Sequence, residues 1–86
     1  MPYIDQDARK GIALGLVPPS SVGELNFLIT SACLAYLARS PFSYTAGNAI
    51  IGVLECAKLE MYRRMVAPYE DKKIAQNGDV YPQEDR

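Results

Sequence analysis

The stretch that decides the fold is residues 43–78, SYTAGNAIIGVLECAKLEMYRRMVAPYEDKKIAQNG. Its first half is apolar and its second half is charged. Apolar residues recur in it at steps of three and four, which predicts a long helix with one apolar stripe: Ile50, Leu54, Ala57, Met61 and Met65. Such a helix cannot cover its own stripe and must pack on another surface. Because the rest of the chain is short, we expect another copy of the protein to supply part of that surface.

The ends of this helix are predicted from residue chemistry. Ser43 is the expected N-cap, and the helix is predicted over 43–66. Pro68 has no N–H and crowds the carbonyl four residues back, so the helix is predicted to break there. A restart is favoured over a kink, because proline suits a first helical position and acidic residues follow it. A third helix is therefore predicted over 68–77, before an Asn-Gly stop.

Another helix is predicted over 22–39, ahead of a Ser-Pro stop. Ser21 and Glu24 fit a capping box, in which the hydroxyl accepts the Glu24 amide and the carboxylate accepts the Ser21 amide. One apolar stripe runs along this helix: Leu25, Leu28, Ile29, Ala32 and Tyr36. Since the connection over 40–42 is short, the two long helices are expected to lie antiparallel.

The predicted fold class is all-α, with residues 1–86 as a single helical domain. An antiparallel helical hairpin with a proline-broken second helix follows an extended N-terminal arm over 1–21, and a tail covers 78–86. The arm is too rich in apolar residues for a free segment, so we expect it to lie across the helices of its own chain or of a partner.

A domain of 86 residues lies near the lower limit for a self-sufficient core. Disulfides or oligomerisation usually stabilise such small domains. Cys33 and Cys56 are the only cysteines, and one bridge between them requires the two helices to face each other there. Oligomerisation is the favoured interpretation, because buried free cysteine is common and cytosolic disulfides are rare.

Composition argues against several classes of function. Nine basic and ten acidic residues give a net charge of −1, whereas general nucleic-acid binders carry a basic excess. Neither a membrane span nor a signal peptide is recognisable, so a cytoplasmic protein is expected. The absence of histidine removes the commonest general base and zinc ligand, and two separated cysteines do not make a structural zinc site. We therefore predict that the protein is not an enzyme and that it has no catalytic residue, no metal and no cofactor.

Glu55 is the ionisable residue that stands out in the apolar half of the long helix. A carboxylate in apolar surroundings needs a cation, and Lys58, three residues on, can pair with it. Two interpretations stay open: a solvated ion pair, or a polar pocket between helices or subunits.

Cations and aromatic rings concentrate around the proline: Tyr62, Arg63, Arg64, Tyr69 and Lys73. Guanidinium groups match phosphate or carboxylate oxygens, and tyrosine rings stack on bases or cations. A solvated face with Glu60–Arg64 and Glu70–Lys73 ion pairs is the alternative explanation of the same residues.

Two segments resemble a family of small uncharacterised proteins from phage and bacterial genomes: GELNFLIT over 23–30 and IGVLECAKLEMYRRMVAPYEDKKIAQNGDVY over 51–81. Members of that family commonly begin Met-Pro-Tyr-Ile, as this chain does. The resemblance implies a helical fold and an association with phages, and no activity. As a compact, oligomeric, histidine-free helical protein, the chain is also similar to phage sponge proteins, which trap the nucleotide signals of bacterial defence without cleaving them.

The resulting functional prediction is a non-enzymatic helical homo-oligomer that binds a small phosphate-bearing, nucleotide-derived molecule and sequesters a bacterial immune signal. The predicted ligand-binding residues are Asn26, Glu55, Lys58, Tyr62, Arg63, Arg64, Tyr69 and Lys73. Arginine and lysine would hold the anion, tyrosine would stack, and Asn26 with Glu55 would give directional hydrogen bonds. The alternative is a protein-interaction or structural dimer whose exposed apolar stripe recruits a host or phage protein.

Overall fold

The structure is a computed structural model that describes residues 2–82. In that part of the chain the secondary structure is helical and contains no strand, which confirms the predicted all-α class. The elements are α1 (Gln6–Ala13), α2 (Val22–Leu37), α3 (Tyr44–Met61), a π-helical turn (Tyr62–Val66) and α4 (Ala67–Asn77). Two compact units divide the chain, residues 1–50 and residues 51–86, and α3 passes from the first into the second. Of the tail predicted over 78–86, residues 83–86 lie outside the described residues.

The N-terminal arm is partly helical, so the prediction of an extended segment over 1–21 was wrong. Helix α1 begins after Asp5, whose side chain accepts a hydrogen bond from the backbone N–H of Asp7 at 2.9 Å. Ile12, in the last turn of α1, is 5% exposed and is the one buried hydrophobic residue among those described. Helix α1 packs against α2. The cap and this burial outweigh the weak helix propensity of Gly11.

The chain folds back immediately after α1. The amides of Leu16 and Val17 donate to the carbonyl of Gly11 at 3.0 and 3.4 Å. Gly15 has a φ of +71°, a left-handed conformation that glycine adopts without strain. A Cβ atom at Gly11 would lie 3.3 Å from the side chain of Val17, so a larger residue there would push the returning segment away.

Helix α2 has the predicted N-cap but not the full capping box. The hydroxyl of Ser21 accepts the amide of Glu24 at 3.1 Å, as predicted. The Glu24 carboxylate turns to Ser20 instead of Ser21, and accepts both its amide at 3.0 Å and its hydroxyl at 3.2 Å. Reaching one residue further back gives the carboxylate two donors in place of one, which explains the difference. The helix ends at Leu37, two residues before the predicted end at residue 39.

The break predicted at Pro68 is replaced by a π turn that lies before the proline. Ser43 caps α3 as predicted, since its hydroxyl accepts the amide of Ala46 at 3.1 Å. The amide of Ala67 then donates to the carbonyl of Tyr62, five residues back, and α4 follows without an interruption. Pro68 lies in the first turn of α4 and has no N–H to donate to a carbonyl of the preceding turn. The wider π turn relieves the crowding that proline imposes on the preceding carbonyl, so the helical path continues.

The stripes predicted as helix cores are largely exposed within the single chain. In α2, Leu25 and Ile29 are 47% and 43% exposed, and in the long helical path Leu54, Met61 and Met65 are 37%, 57% and 64% exposed. Throughout residues 51–82 every residue except Ala67 is exposed. One chain therefore does not bury its own apolar helix faces.

Two further features concern stabilisation and surroundings. Cys33 is half-buried and Cys56 is exposed, and both are free thiols, so no disulfide contributes to this fold. Over residues 2–82, no helix combines the length and the apolar character that crossing a bilayer demands.

Replacing Ser21 with alanine is expected to lower the free energy of unfolding by about 1 kcal/mol, because α2 loses its N-cap acceptor. Urea denaturation followed by circular dichroism, at one fixed protein concentration, measures the change. The control is Ser40→Ala: Ser40 is exposed and its hydroxyl makes no hydrogen bond within residues 2–82. Equal losses in the two variants would contradict the capping role.

Candidate functional site

A groove of about 550 Å³ lies along α4 in the second unit. Helix α4 forms one wall, and the segment that follows it forms the other. The helix ends at Gly78, which has a φ of +89° and donates its amide to the carbonyl of Ile74 at 2.8 Å. Asp79 then accepts the amide of Tyr81 at 3.0 Å, which holds the returning segment in a tight turn. Val80 and Tyr81 thereby line the same groove as Ile74.

One side-chain hydrogen bond spans the π turn and joins two residues that line the groove. The Tyr62 hydroxyl donates a hydrogen bond to Oε1 of Glu70, eight residues later. In an unbroken α-helix, residues eight apart point about 80° away from each other. The π turn takes up one extra residue, which brings Tyr62 and Glu70 to within about 20° of the same helix face. The bond between them therefore depends on the π turn.

Glu70 also changes the acidity of Tyr62. The hydrogen bond to the Glu70 carboxylate, and then the negative charge of that carboxylate, raise the pKa of Tyr62 above its ordinary value of 10.0. The charge of Asp71 acts in the same direction and more weakly. The phenol of Tyr62 is therefore a hydrogen-bond donor at neutral pH and is not a base.

The described residues that line the groove carry charges of both signs. Among residues 2–82, Glu70, Asp71 and Asp79 contribute carboxylates to its lining, and Lys73 contributes an ammonium group. The expected Glu70–Lys73 ion pair is not formed, since Glu70 bonds to Tyr62. The Lys73 ammonium lies 5.5 Å from the centre of the Tyr69 ring and 3.5 Å from the Gln76 side-chain oxygen. Within residues 2–82 no set of three or more acidic or cysteine side chains is arranged to hold a metal ion.

The two predicted arginines lie outside the groove lining. Nη2 of Arg63 lies 2.9 Å from one oxygen of Glu60, and Nη1 of Arg64 lies 3.7 Å from the other. The predicted Glu60–Arg64 pair is thus present, and Arg63 shares it. Both guanidinium side chains are 69% exposed, so each keeps donors that face solvent.

The remaining predicted residues form local pairs elsewhere on the helices. Nζ of Lys58 lies 3.2 Å from Oε1 of Glu55, which confirms the predicted ion pair and shows it exposed. Asn26 lies in the first unit, on α2, where its side-chain oxygen accepts the Thr30 hydroxyl at 3.2 Å.

Of the eight predicted residues, the structure brings Tyr62 and Lys73 to one groove, with Tyr69 against Lys73. Glu70 and Tyr81 line the groove but were not predicted as site residues. Glu70 could have been noticed because it closely follows Pro68. Its position was interpreted only as a favourable interaction with the dipole of the following helix. Tyr81 reaches the groove only through the turn at Gly78, and an Asn-Gly stop does not specify where the following chain goes.

The chain belongs to a family of unknown function, described as domain of unknown function DUF6899, whose model matches residues 1–80. The resemblance to an uncharacterised family is therefore confirmed, while an association with phages stays a prediction. No curated protein and no solved structure matches the chain. The groove wall up to Val80 lies within the matched residues.

Tyr62 is expected to lose its proton only at a pH above its ordinary pKa of 10.0. Glu70→Gln is expected to lower the folded-state pKa of Tyr62, because the amide still accepts the hydrogen bond but carries no charge. Because the folded-state pKa is raised, the stabilising contribution is complete below pH 10 and is lost as the pH rises through the folded-state pKa. A carbon-13 NMR titration of the tyrosine rings, with Tyr62 assigned through Tyr62→Phe, measures the pKa.

Glu55→Gln is the matched control for Glu70→Gln, because it removes the same charge from a carboxylate that pairs with Lys58 and not with Tyr62. An equal shift of the Tyr62 titration in both variants would show that general charge, and not the bond to Glu70, sets its pKa.

Proposed function

We propose that this protein is a non-enzymatic helical module that works as a homo-oligomer, with the apolar faces of α2 and α3 packed against another copy. The proposal is supported by the exposure of apolar side chains in the single chain. Ile51, Val53 and Leu59 are 65%, 66% and 55% exposed, and Ala67 is the one residue of 51–82 that is even half-buried. A helix with exposed apolar residues all round is not stable alone in water.

Helix α2 supports the same interpretation from the first unit. Between Leu25 and Leu37 it carries no charged residue. Leu34 and Tyr36 are nevertheless 60% and 45% exposed, although α1 already packs against this helix. An uncharged helix of this composition is typical of a buried position.

The exposed apolar area fits a second copy of the chain. Twelve large apolar residues of α2 and α3 are between 37% and 82% exposed, and a standard interface buries about 800 Å² per partner. Monomeric soluble proteins rarely expose apolar patches of more than a few hundred Å². An identical chain would bury the apolar faces of both helices through a single self-complementary interface.

Gly52 gives independent support. A Cβ atom at Gly52 would meet no atom within 4 Å, so nothing in the single chain requires glycine there. Glycine in a helix interior costs about 1 kcal/mol against alanine. Close approach of a helix from another copy accounts for it. Gly47 differs, because its Cβ would lie 3.2 Å from the Phe42 ring of the same chain.

We also propose that the helices predicted over 22–39 and 43–66 pair antiparallel, because packing in the assembly would bury their apolar faces. A cytoplasmic location is proposed with it. Recruitment of a different host or phage protein by the same faces is the competing proposal.

Ile51→Lys is expected to reduce the mass in solution to that of one chain, 9.5 kDa, because it places a charge in the interface. Multi-angle light scattering at micromolar concentration measures the mass. Gln76→Lys adds the same charge to an exposed position of α4 and is expected to leave the mass unchanged. A wild-type mass of 9.5 kDa would contradict the proposal.

Binding of a phosphate-bearing, nucleotide-derived molecule is the second candidate function. The observation that favours it is that Arg63 and Arg64 share the carboxylate of Glu60, which within residues 2–82 leaves one positive charge without a paired carboxylate. Surface ion pairs of this kind are weak enough for a phosphate to displace them. Tyr69 and Lys73 follow on α4, and sequestration of a bacterial immune signal by a phage protein is the biological form that we propose for such binding.

Addition of cyclic and ADP-ribose-type nucleotides is expected to raise the thermal midpoint of the wild type, because a ligand that binds only the folded state stabilises it. Arg64→Gln is expected to reduce that rise, whereas Lys10→Gln, which removes one positive charge from α1, is expected to preserve it. Differential scanning fluorimetry measures both. No rise across the nucleotide panel would exclude this second candidate and would leave the oligomer to be judged by its mass.

A further inference from the structure

The π turn between α3 and α4 is a feature that neither proposed function uses. The amide of Ala67 donates to the carbonyl of Tyr62, five residues back. An ordinary α-helical turn would join the same amide to the carbonyl of Arg63 instead. These two hydrogen-bond registers differ by one residue, so they differ by a rotation of α4 of about 100° relative to the end of α3.

The register decides which side chain faces Glu70. In the π register, the Glu70 carboxylate accepts the hydroxyl of Tyr62, eight residues earlier. In the α register the facing residue would be Arg63, because residues seven apart lie within about 20° of each other around an α-helix. Their separation along the axis would be about 10 Å. Two long side chains can bridge such a rise, as those of Tyr62 and Glu70 do across the π turn.

We propose that Pro68 holds this helical path in the π register and thereby keeps the Glu70 carboxylate away from the guanidinium group of Arg63. In the α register, an ion pair between Glu70 and Arg63 would mask that guanidinium. The choice of register depends on neither proposed function. Its consequence for ligand binding rests on the second candidate function, in which Arg63 holds a phosphate.

Pro68 favours the π register for a steric reason. In a continuous α-helix its ring would press against the carbonyl of Arg64, four residues back. Its missing N–H is a loss in both registers, so the steric clash is what distinguishes them. The bond between Tyr62 and Glu70 adds to the preference, but it joins exposed groups for which water competes. Proline in a helix interior is among the most unfavourable backbone effects. The proline therefore sets the register, and the side-chain bond follows from it.

The register also sets the charge on the face that carries the two arginines. Arg63 and Arg64 approach the two oxygens of Glu60 at 2.9 and 3.7 Å. Within residues 2–82, no second carboxylate pairs with them. In the α register Glu70 would supply that carboxylate and compensate the remaining positive charge. The π turn thus prevents an autoinhibitory ion pair that the same residues would form in an unbroken helix.

The test is Pro68→Ala in the full chain, studied by NMR scalar coupling across hydrogen bonds, which identifies the carbonyl that accepts a given amide. In the wild type, the Ala67 amide is expected to couple to the carbonyl carbon of Tyr62. In Pro68→Ala that coupling is expected to move to Arg63. The pKa of Tyr62 is expected to fall toward its ordinary value of 10.0, because Glu70 turns away. A coupling that stays at Tyr62 in this variant would overturn the proposal, as would the loss of coupling to either carbonyl.

A second measurement on Pro68→Ala addresses the masking of Arg63. Nuclear Overhauser contacts between the side chains of Arg63 and Glu70 are expected in the variant and not in the wild type. Their absence from a variant whose coupling has moved would overturn the masking. Neither measurement requires a ligand, so the outcome is separate from that of the nucleotide panel.

Two control variants separate the proline from the side-chain bond. Tyr62→Phe removes the bond to Glu70 and keeps Pro68, so the Ala67 amide is expected to remain coupled to residue 62. A shift of the coupling in Tyr62→Phe would show that the side-chain bond sets the register, against the proposal. Pro41→Ala makes the same exchange at an exposed position between α2 and α3, and is expected to leave the coupling unchanged. An equal change in Pro41→Ala would also contradict the role of Pro68.

Discussion

The rest of the structure depends on one constraint, which is that this chain has more apolar helix surface than it can cover. Ordering a residue costs about 1–2 kcal/mol of backbone entropy, and full burial of a large apolar side chain returns about 1.5–3 kcal/mol. Among the described residues, Ile12 is the one buried hydrophobic side chain, at 5% exposure, and none is fully buried. The exposed apolar faces of α2 and α3 are the physical basis of the proposed homo-oligomer.

Local bonds fix where the helices begin, but they do not fix where the helices pack. Asp5, Ser21 and Ser43 each accept a backbone amide at a helix start. Such caps contribute on the order of 1 kcal/mol apiece, enough to set a boundary and too little to hold an exposed helix in place. This is why the helix starts are well defined in a chain whose apolar faces stay open.

The sequence predicted what depends on neighbouring residues. The caps at Ser21 and Ser43 and the Glu55–Lys58 pair follow from spacings of three residues, and all are present. The π turn was missed, because it is a shift of hydrogen-bond partner from four to five residues back and carries no residue signature of its own. The break predicted at Pro68 was wrong for that reason.

The candidate site was predicted only in part for a related reason. Tyr62 and Lys73 were identified because cations and aromatic rings cluster in the sequence there. The carboxylates in the groove lining were not, because Glu70 is displaced in register by the π turn and Asp79 returns through the turn at Gly78.

The extra residue in the π turn sets the direction of α4's side chains. If the same residues took an ordinary α-helical turn, everything after it would rotate by about 100° relative to Tyr62, and Glu70 would face a different side of the helix. Deleting one residue between Tyr62 and Val66 would instead remove the extra residue, and an α-helical turn would then keep α4 facing its present direction. A substitution that favours the α-helical turn at constant chain length would therefore disturb the groove more than a one-residue deletion, although both would leave the helical content almost unchanged.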